Sequence, residues 1–299
     1  MNTRRMRISL GAGYLWILPA FLFIILMIGY PLIFNIILSF QDVTTTTILN
    51  PVKEFIGFKN YIGVVKDPVF SEVLKNSFIF TIGCVFFQFT IGLVLALLFN
   101  LKFPLAGSMR GVLLITLMVP TVVVSILFRW LLSGDFGLIN EILIQMGILE
   151  KGIAWLAQPS TALGGVMLAN IWIGIPFNMM LLAPGIAAIS PSLYEAASID
   201  GAGPFKKFRY ITLPMIRPAI LVTLVLGFIY TFRIFGLIYA MTSGGPVNST
   251  TVLPILAYKL SFSFFNFGRG AAATLILLVI LIIIIIIYLR LVGREEVME

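Results

Sequence analysis

Side chains able to make or break bonds are scarce in this chain of 299 residues, which has no histidine and one cysteine. Without imidazole there is no His general base, no Ser-His-Asp triad and no HExxH-type zinc site. Cys84 has no partner for a disulfide and sits in an apolar stretch, where an inert packed thiol is the ordinary reading. No catalytic residue and no metal ligand set is assigned. What remains is the chemistry of recognition. Asn170, Gly174 and Phe177 are four and three residues apart, so they share one helical face, and Tyr230, Thr231 and Arg233 form a second group. Amide, aromatic, hydroxyl and cationic groups inside apolar runs either hold a polar cargo or pack against another helix.

Nucleotide chemistry has no place here either. There is no GxxxxGK[ST] phosphate loop, and Gly201-Ala202-Gly203 runs into Pro204 without the rest of a dinucleotide fingerprint, so any nucleotide is held by another chain.

The elements that must position these groups follow from composition. Of the residues, 60% are hydrophobic and 11% charged, against about 25% charged in an ordinary soluble domain. A bilayer core of about 30 Å needs about 20 apolar residues per crossing, and charge-free runs mark where they lie. The reading is an all-α membrane protein with six transmembrane helices, at about 14–40, 76–100, 111–132, 161–185, 217–242 and 271–290. The fifth reaches crossing length only by passing through Arg233. Pro19 and Pro31 should bend the first, which is too long for a signal peptide and shows no cleavage site. With both termini cytoplasmic, eleven of the 20 cations lie inside, among them Arg4, Arg5, Arg7, Lys102 and Arg294. Seven lie outside, spread over longer loops. Such scattered cations orient a membrane protein; they form no basic face for nucleic acid.

Three outer segments, 41–75, 133–160 and 243–269, are long for connectors. The second carries Leu138, Ile139, Ile142, Leu143 and Met146 at helical spacing, as in a helix lying in the interface. None has the size of a separate domain, so residues 1–299 are read as a single membrane domain. The cytoplasmic loop 189–214 has its own helix signals: Ser190 at the cap, Pro191 at the first position, the helix-favouring Glu195-Ala196-Ala197, and Gly201 for a left-handed stop. A helix of about ten residues is marginal alone, so something outside must hold it.

The loop reads Glu195-Ala196-Ala197, three residues, Gly201, nine residues, Ile211-x-Leu213-Pro214. It matches every position of, and so resembles, the EAA loop of bacterial ABC importer permeases. Gly57-Phe58-Lys59-Asn60-Tyr61 with Asp67-Pro68 also resembles the carbohydrate-uptake branch of that family, the maltose, oligosaccharide and glycerol phosphate importers. So do Arg129-Trp130-Leu131 with Asp135-Phe136-Gly137-Leu138-Ile139-Asn140, and Thr242-Ser243-Gly244-Gly245-Pro246. The subunit type it is similar to is the one related to the larger maltose permease subunit, without that protein's extra spans.

The resemblance implies a type I ABC importer permease in the bacterial inner membrane, working with a second homologous permease, two ATPase subunits and an extracellular or periplasmic sugar-binding protein. No cofactor is implied on this chain; ATP and Mg would sit on the ATPase subunits. By the same resemblance Glu195, Ala196, Ala197, Asp200, Gly201, Leu213 and Pro214 would couple to the ATPase. Asn170, Gly174, Phe177, Tyr230, Thr231 and Arg233, with Trp172, would line the path of a sugar near the bilayer midplane. Arg233 leaves open an anionic cargo such as glycerol phosphate or an acidic sugar. A secondary transporter or channel is the other class; it often carries intramembrane carboxylates, and here every Asp and Glu falls in a loop or tail.

Overall fold

The computed structural model describes residues 10–292 except Lys102, so Arg4, Arg5, Arg7, Lys102 and Arg294 lie outside the described residues. The chain is built almost wholly of helices, and among the described residues extended pairing is limited to isolated bridges. In order the helices are α1 Leu10–Ile24, α2 Tyr30–Ser39, α3 Lys59–Val65, α4 Pro68–Asn100, α5 Ala106–Ile115, α6 Thr121–Leu131, α7 Leu138–Gln145 and α8 Pro159–Ala187. They continue with α9 Pro191–Ile199, α10 Pro204–Lys207, α11 Leu213–Met215, α12 Arg217–Phe232, α13 Gly236–Thr242, α14 Leu253–Tyr258 and α15 Phe267–Val292. Among the described residues four helical stretches are long and apolar enough to cross a membrane, and two bent pairs raise the number to as many as six.

Two of the expected spans are corrected by the structure. The third expected span, 111–132, is not one rod: the arms Ala106–Met118 and Thr121–Leu131 meet at 101°. The cause is local, because Val119 precedes Pro120 and is pushed out of the helical region, to φ −76° and ψ 123°. The fifth, 217–242, stops at Phe232; Arg233 caps α12, and α13 starts afresh at Gly236, the weakest helix former of the stretch. Arg233 therefore ends a helix and does not lie within one. Upstream, Pro204–Met215 and Arg217–Phe232 are bent by 69° around Ile216. The second span starts two turns earlier than expected, at Pro68, where the Asp67 carboxylate accepts the Val69 N–H at 2.9 Å and caps the helix.

Two prolines act through the turn before them. Ile25–Gly29 and Phe208–Thr212 are π turns, in which Tyr30 N–H donates to Ile25 O and Leu213 N–H to Phe208 O. The next residue in each case is proline, at positions 31 and 214. The widened turn makes room for a ring that would otherwise meet the carbonyl four residues back.

The chain packs as two compact units. One comprises residues up to Lys66 with Ala257–Leu275. In it the Gly57–Tyr61 motif has a structural use: Asn60 Nδ2 donates to Ser39 O and Gln41 O, both at 2.9 Å, and Tyr61 Oη pairs with Ser39 Oγ at 2.7 Å. Phe40 packs against Phe55, Phe58 and Tyr61, and the Arg269 side chain lies over Gly63.

The second unit, Asp67–Leu256 with the residues from Ile276, contains the candidate site. Its spine is the α4/α8 pair. Gly92 of α4 brings the backbones together, since a Cβ there would stand 2.7 Å from Asn178 Cβ and 3.0 Å from the Met179 nitrogen. Gly92→Val is expected to destabilise the chain by about 1–3 kcal/mol through overpacking. The check is a lower unfolding temperature in detergent; an unchanged one means that the two helices are free to separate. Beside this spine α12 packs on both helices and α13 on α6, around Phe80, Phe128, Val166, Leu237 and Ile238.

The segment after α6 is pinned by one amide. Asn140, buried on α7, donates through Nδ2 to the carbonyls of Ser133 (2.8 Å), Gly134 (3.2 Å) and Ile153 (2.9 Å). Its Oδ1 accepts from Ile153 N (3.2 Å) and Trp155 Nε1 (2.7 Å).

Candidate functional site

A cavity of about 280 Å³ opens where α4, α8 and α12 meet. Asn170, Gly174 and Phe177 line it from α8, Gly227, Tyr230 and Thr231 from α12, and Ile234 from the break after it. The i, i+4, i+7 spacing on α8 thus does present one face to the cavity. Phe177 and Tyr230 meet edge to face, with centroids 5.5 Å apart at 87°. Thr231 is buried, and Tyr230 is exposed. Two expected members stand elsewhere. Trp172 lies outside the lining and packs on Phe128 at 5.9 Å. Arg233 does not line the cavity; its guanidinium lies over the Tyr230 ring, 5.1 Å from the centroid.

Sequence reasoning missed Gln88, Leu117, Ile173 and Gly227. The signal for Gln88 was present: it is an amide in the middle of a long apolar run, where polar groups need a reason to be. Gln88 is 3% exposed, and its Nε2 donates to the main-chain oxygen of Asn170 at 2.9 Å. It occupies the notch left by Gly174, where any Cβ would overlap its carboxamide. Asn170 is 4% exposed, and its Nδ2 has no hydrogen-bond partner among the described residues beyond the neighbouring Cys84 sulfur, a weak acceptor. Cavity chemistry is therefore neutral: carboxamides and a hydroxyl facing two aromatic rings.

The second candidate site is the loop 189–214. α9 forms as its signals require, although Ser190 Oγ pairs with Ser192 Oγ at 2.7 Å and does not cap the backbone. Gly201 adopts φ +75°, and Ala202 N–H closes back on Ala197 O at 2.8 Å, as in a left-handed helix stop. What holds the short helix from within the chain is a set of side-chain contacts. Tyr194 Oη meets the buried Thr212 Oγ1 at 2.8 Å, and Lys207 Nζ donates to Ser198 Oγ at 2.5 Å. Glu195, Ala196, Asp200 and Gly201 are exposed and Ala197 half-buried. Exposed Leu193, Ile199, Phe205 and Tyr210 surround them, an apolar surface open to another chain. Leu213 and Pro214 follow the second π turn, where they set the path into α12.

Residues 88–296 match the model of a family described as the binding-protein-dependent transport system inner membrane component. The sulfoquinovosyl glycerol transport system permease protein of Agrobacterium fabrum is 34% identical over 274 residues, covering 92% of this chain and 88% of that one. The trehalose/maltose transport system permease protein of Thermococcus litoralis is 34% identical over 257 residues, 86% and 84% of the two chains. Among solved structures, a chain of a bacterial ABC transporter that imports the acidic polysaccharide alginate superposes with a TM-score of 0.81 at 23% identity. That match covers 95% of each chain and establishes likeness of fold.

Proposed function

Because this chain belongs to the family of binding-protein-dependent transport system inner membrane components, we propose that it works as a permease subunit of an ATP-driven importer of sugars. It is a multi-pass membrane protein and no enzyme on its own. The two bent pairs count as spans in this reading, which makes six, with both termini on the cytoplasmic side and the whole chain acting as one permease domain. A second homologous permease completes the pathway, an external binding protein delivers the sugar, and two ATPase subunits hold ATP and Mg. This chain needs no cofactor.

One observation carries the assignment of cargo: the cavity joins neutral amides to the Phe177 and Tyr230 rings. Sugar hydroxyls need directional donors and acceptors, and the apolar faces of pyranose rings stack on aromatics. The relatives named for sugar transport point the same way. The exposed α9, with Glu195, Ala196 and Ala197 and the Gly201 stop, serves as the coupling helix. Asp200 lies at its end, and Leu213 and Pro214 connect it to α12.

Uptake into proteoliposomes containing the full complex tests this, with maltose, trehalose, lactose and other labelled mono- and disaccharides as probes. One or more should enter in an ATP-dependent manner. Phe177→Ala and Tyr230→Ala should each reduce uptake by roughly tenfold, the equivalent of about 1.4 kcal/mol of lost stacking and packing. A second permease and an ATPase should co-purify with the chain. A chain that purifies alone, or wild-type rates in both variants, contradicts the reading.

A further inference from the structure

We infer that the end of α6 and the segment after it form a two-charge seat for the external binding protein: Arg129 takes a carboxylate of that partner, and Asp135 with Glu141 takes a cation. The inference rests on the six-span, binding-protein-dependent reading given above, which puts this end of α6 outside.

The motifs Arg129-Trp130-Leu131, Asp135–Asn140 and Thr242–Pro246 have no share in the sugar cavity, yet the structure gathers them. A cavity of about 450 Å³ opens between the last turn of α6, the segment that follows it and the end of α13, with Arg129, Ser133, Thr242 and Pro246 on its wall. No carboxylate is among the described residues that line it. Arg129 is exposed, and its one hydrogen bond among the described residues runs from Nη1 to Ala240 O at 3.4 Å. Most of the five guanidinium N–H groups are thus left for a guest, and their planar fork matches the two oxygens of a carboxylate. The Thr242 hydroxyl is already engaged by Ile238 O and Thr250 Oγ1, so the cation is the chief feature that this cavity offers.

Across Gly134 lies a smaller cavity, of about 230 Å³, with the opposite charge. Asp135 and Glu141 line it, both exposed, beside the exposed rings of Trp130 and Phe136. Carboxylates next to rings suit a Lys or Arg side chain, whose head pairs with the charge while its apolar stem packs on the aromatics. Gly134 lines both cavities, which fixes the spacing of the two charges. The wall between them is stiff: Asn140 Nδ2 donates to Gly134 O, and a Cβ on Gly152 would overlap that same oxygen.

A surface that presents both signs at fixed spacing is complementary to a protein and not to a lipid headgroup layer, where an anionic head drawn to Arg129 would meet Asp135 and Glu141 as well. The helices that end at this seat also begin at the sugar cavity. α13 starts just after Ile234, and Leu117 precedes the bend into α6; both residues line that cavity. α6 and α13 pack on each other, with Ser125 Oγ donating to Leu237 O at 3.5 Å. The partner that fits is one that docks outside in register with the sugar path, and the external binding protein is that partner.

The test uses the reconstituted importer and its binding protein, loaded with the sugar that the uptake panel identifies. The quantity read is the binding-protein concentration that gives half-maximal uptake. Arg129→Glu should raise it about tenfold or more, since like charges then face each other, and Arg129→Lys, which keeps the charge, should recover most of the loss. Asp135→Lys should raise it as well. Attraction by net charge alone would move the two reversals in opposite directions, and that result overturns the proposal. Wild-type values in both reversals leave Arg129 as a cap for the Ala240 carbonyl and overturn it too. Ser133→Cys carrying a benzophenone maleimide is an independent measurement where a charge reversal fails to assemble, and the buried Cys84 does not compete for the label. Irradiation should trap the binding protein. Trapping of the partner permease, of lipid or of nothing overturns the proposal. Any of these failures, beside wild-type uptake that depends on the binding protein, sinks this inference alone. Wild-type uptake that needs no binding protein removes the reading it rests on, and the inference with it.

Discussion

Replacing Glu195 by lysine is expected to abolish sugar uptake by the assembled importer while the chain still inserts and still binds its partner permease. Glu195 is exposed on a nine-residue helix that has no other visible task. A helix this short gains little from its own hydrogen bonds, so its surface, flanked by Leu193, Ile199, Phe205 and Tyr210, is shaped for something to cover it. A carboxylate desolvated against a cation at such an interface, when replaced by a like charge, costs about 2–5 kcal/mol, which corresponds to roughly a thirtyfold or greater loss of the engaged state. The measurement is sugar-stimulated ATP hydrolysis alongside uptake in proteoliposomes. Both should collapse together, with basal hydrolysis by the ATPase retained. Normal stimulated hydrolysis in the variant removes α9 from the coupling role.

A comparable effect, by a different route, is expected for Asn140→Leu. The substitution keeps approximate size but strips five hydrogen-bond contacts from three carbonyls, one backbone N–H and the Trp155 indole. Each group left buried and unpaired costs about 1–3 kcal/mol, and partial access to water lowers the total to about 3–6 kcal/mol. The segment from Ser133 to Trp155 should loosen as a unit. Proteolysis of the reconstituted protein should show new cleavage between α6 and α8, and delivery by the binding protein should fail even though the cavity residues are untouched. A protease pattern identical to that of the wild type would mean that the segment is held by its apolar contacts and not by the amide.

Much of the architecture was legible because hydrophobic runs must be long to cross a bilayer, and the runs around 76–100, 161–185 and 271–290 each fall within a helix. Their ends were less legible. α4 extends two turns beyond its charge-free core because Asp67-Pro68 starts a helix whatever the polarity of Glu72 and Lys75. The break at Val119-Pro120 is flanked by apolar residues, so hydropathy does not mark it and the proline was its one local sign; the break at 233–235 was marked by the charge of Arg233, which the length needed for a crossing overrode. In the cavity, helical spacing found the α8 face because Asn170, Gly174 and Phe177 belong to one rigid rod. It failed for Arg233, whose position depends on where α12 stops, and for Trp172, which faces Phe128. Gln88 escaped notice because an amide does not interrupt a charge-free run, and its meaning appears only once Gly174 is seen to vacate the space it fills. In the loop 189–214 nearly all of α9 could be read, since caps and stops are written in adjacent residues. The tether from Tyr194 to Thr212 could not be, because it joins positions 18 apart.

The turn at Phe208–Thr212 houses one residue more than an ordinary helical path would use. In angular terms that surplus is a phase offset of about 100° between the upstream and downstream arms. Length changes at this point are consequently read out as rotation: removing a single residue would dial the Leu213-Pro214 junction around its axis before it shortened anything. The segment that joins the loop 189–214 to α12 is thus indexed like a gear tooth, and its residue count is as much a part of its specification as its residue types.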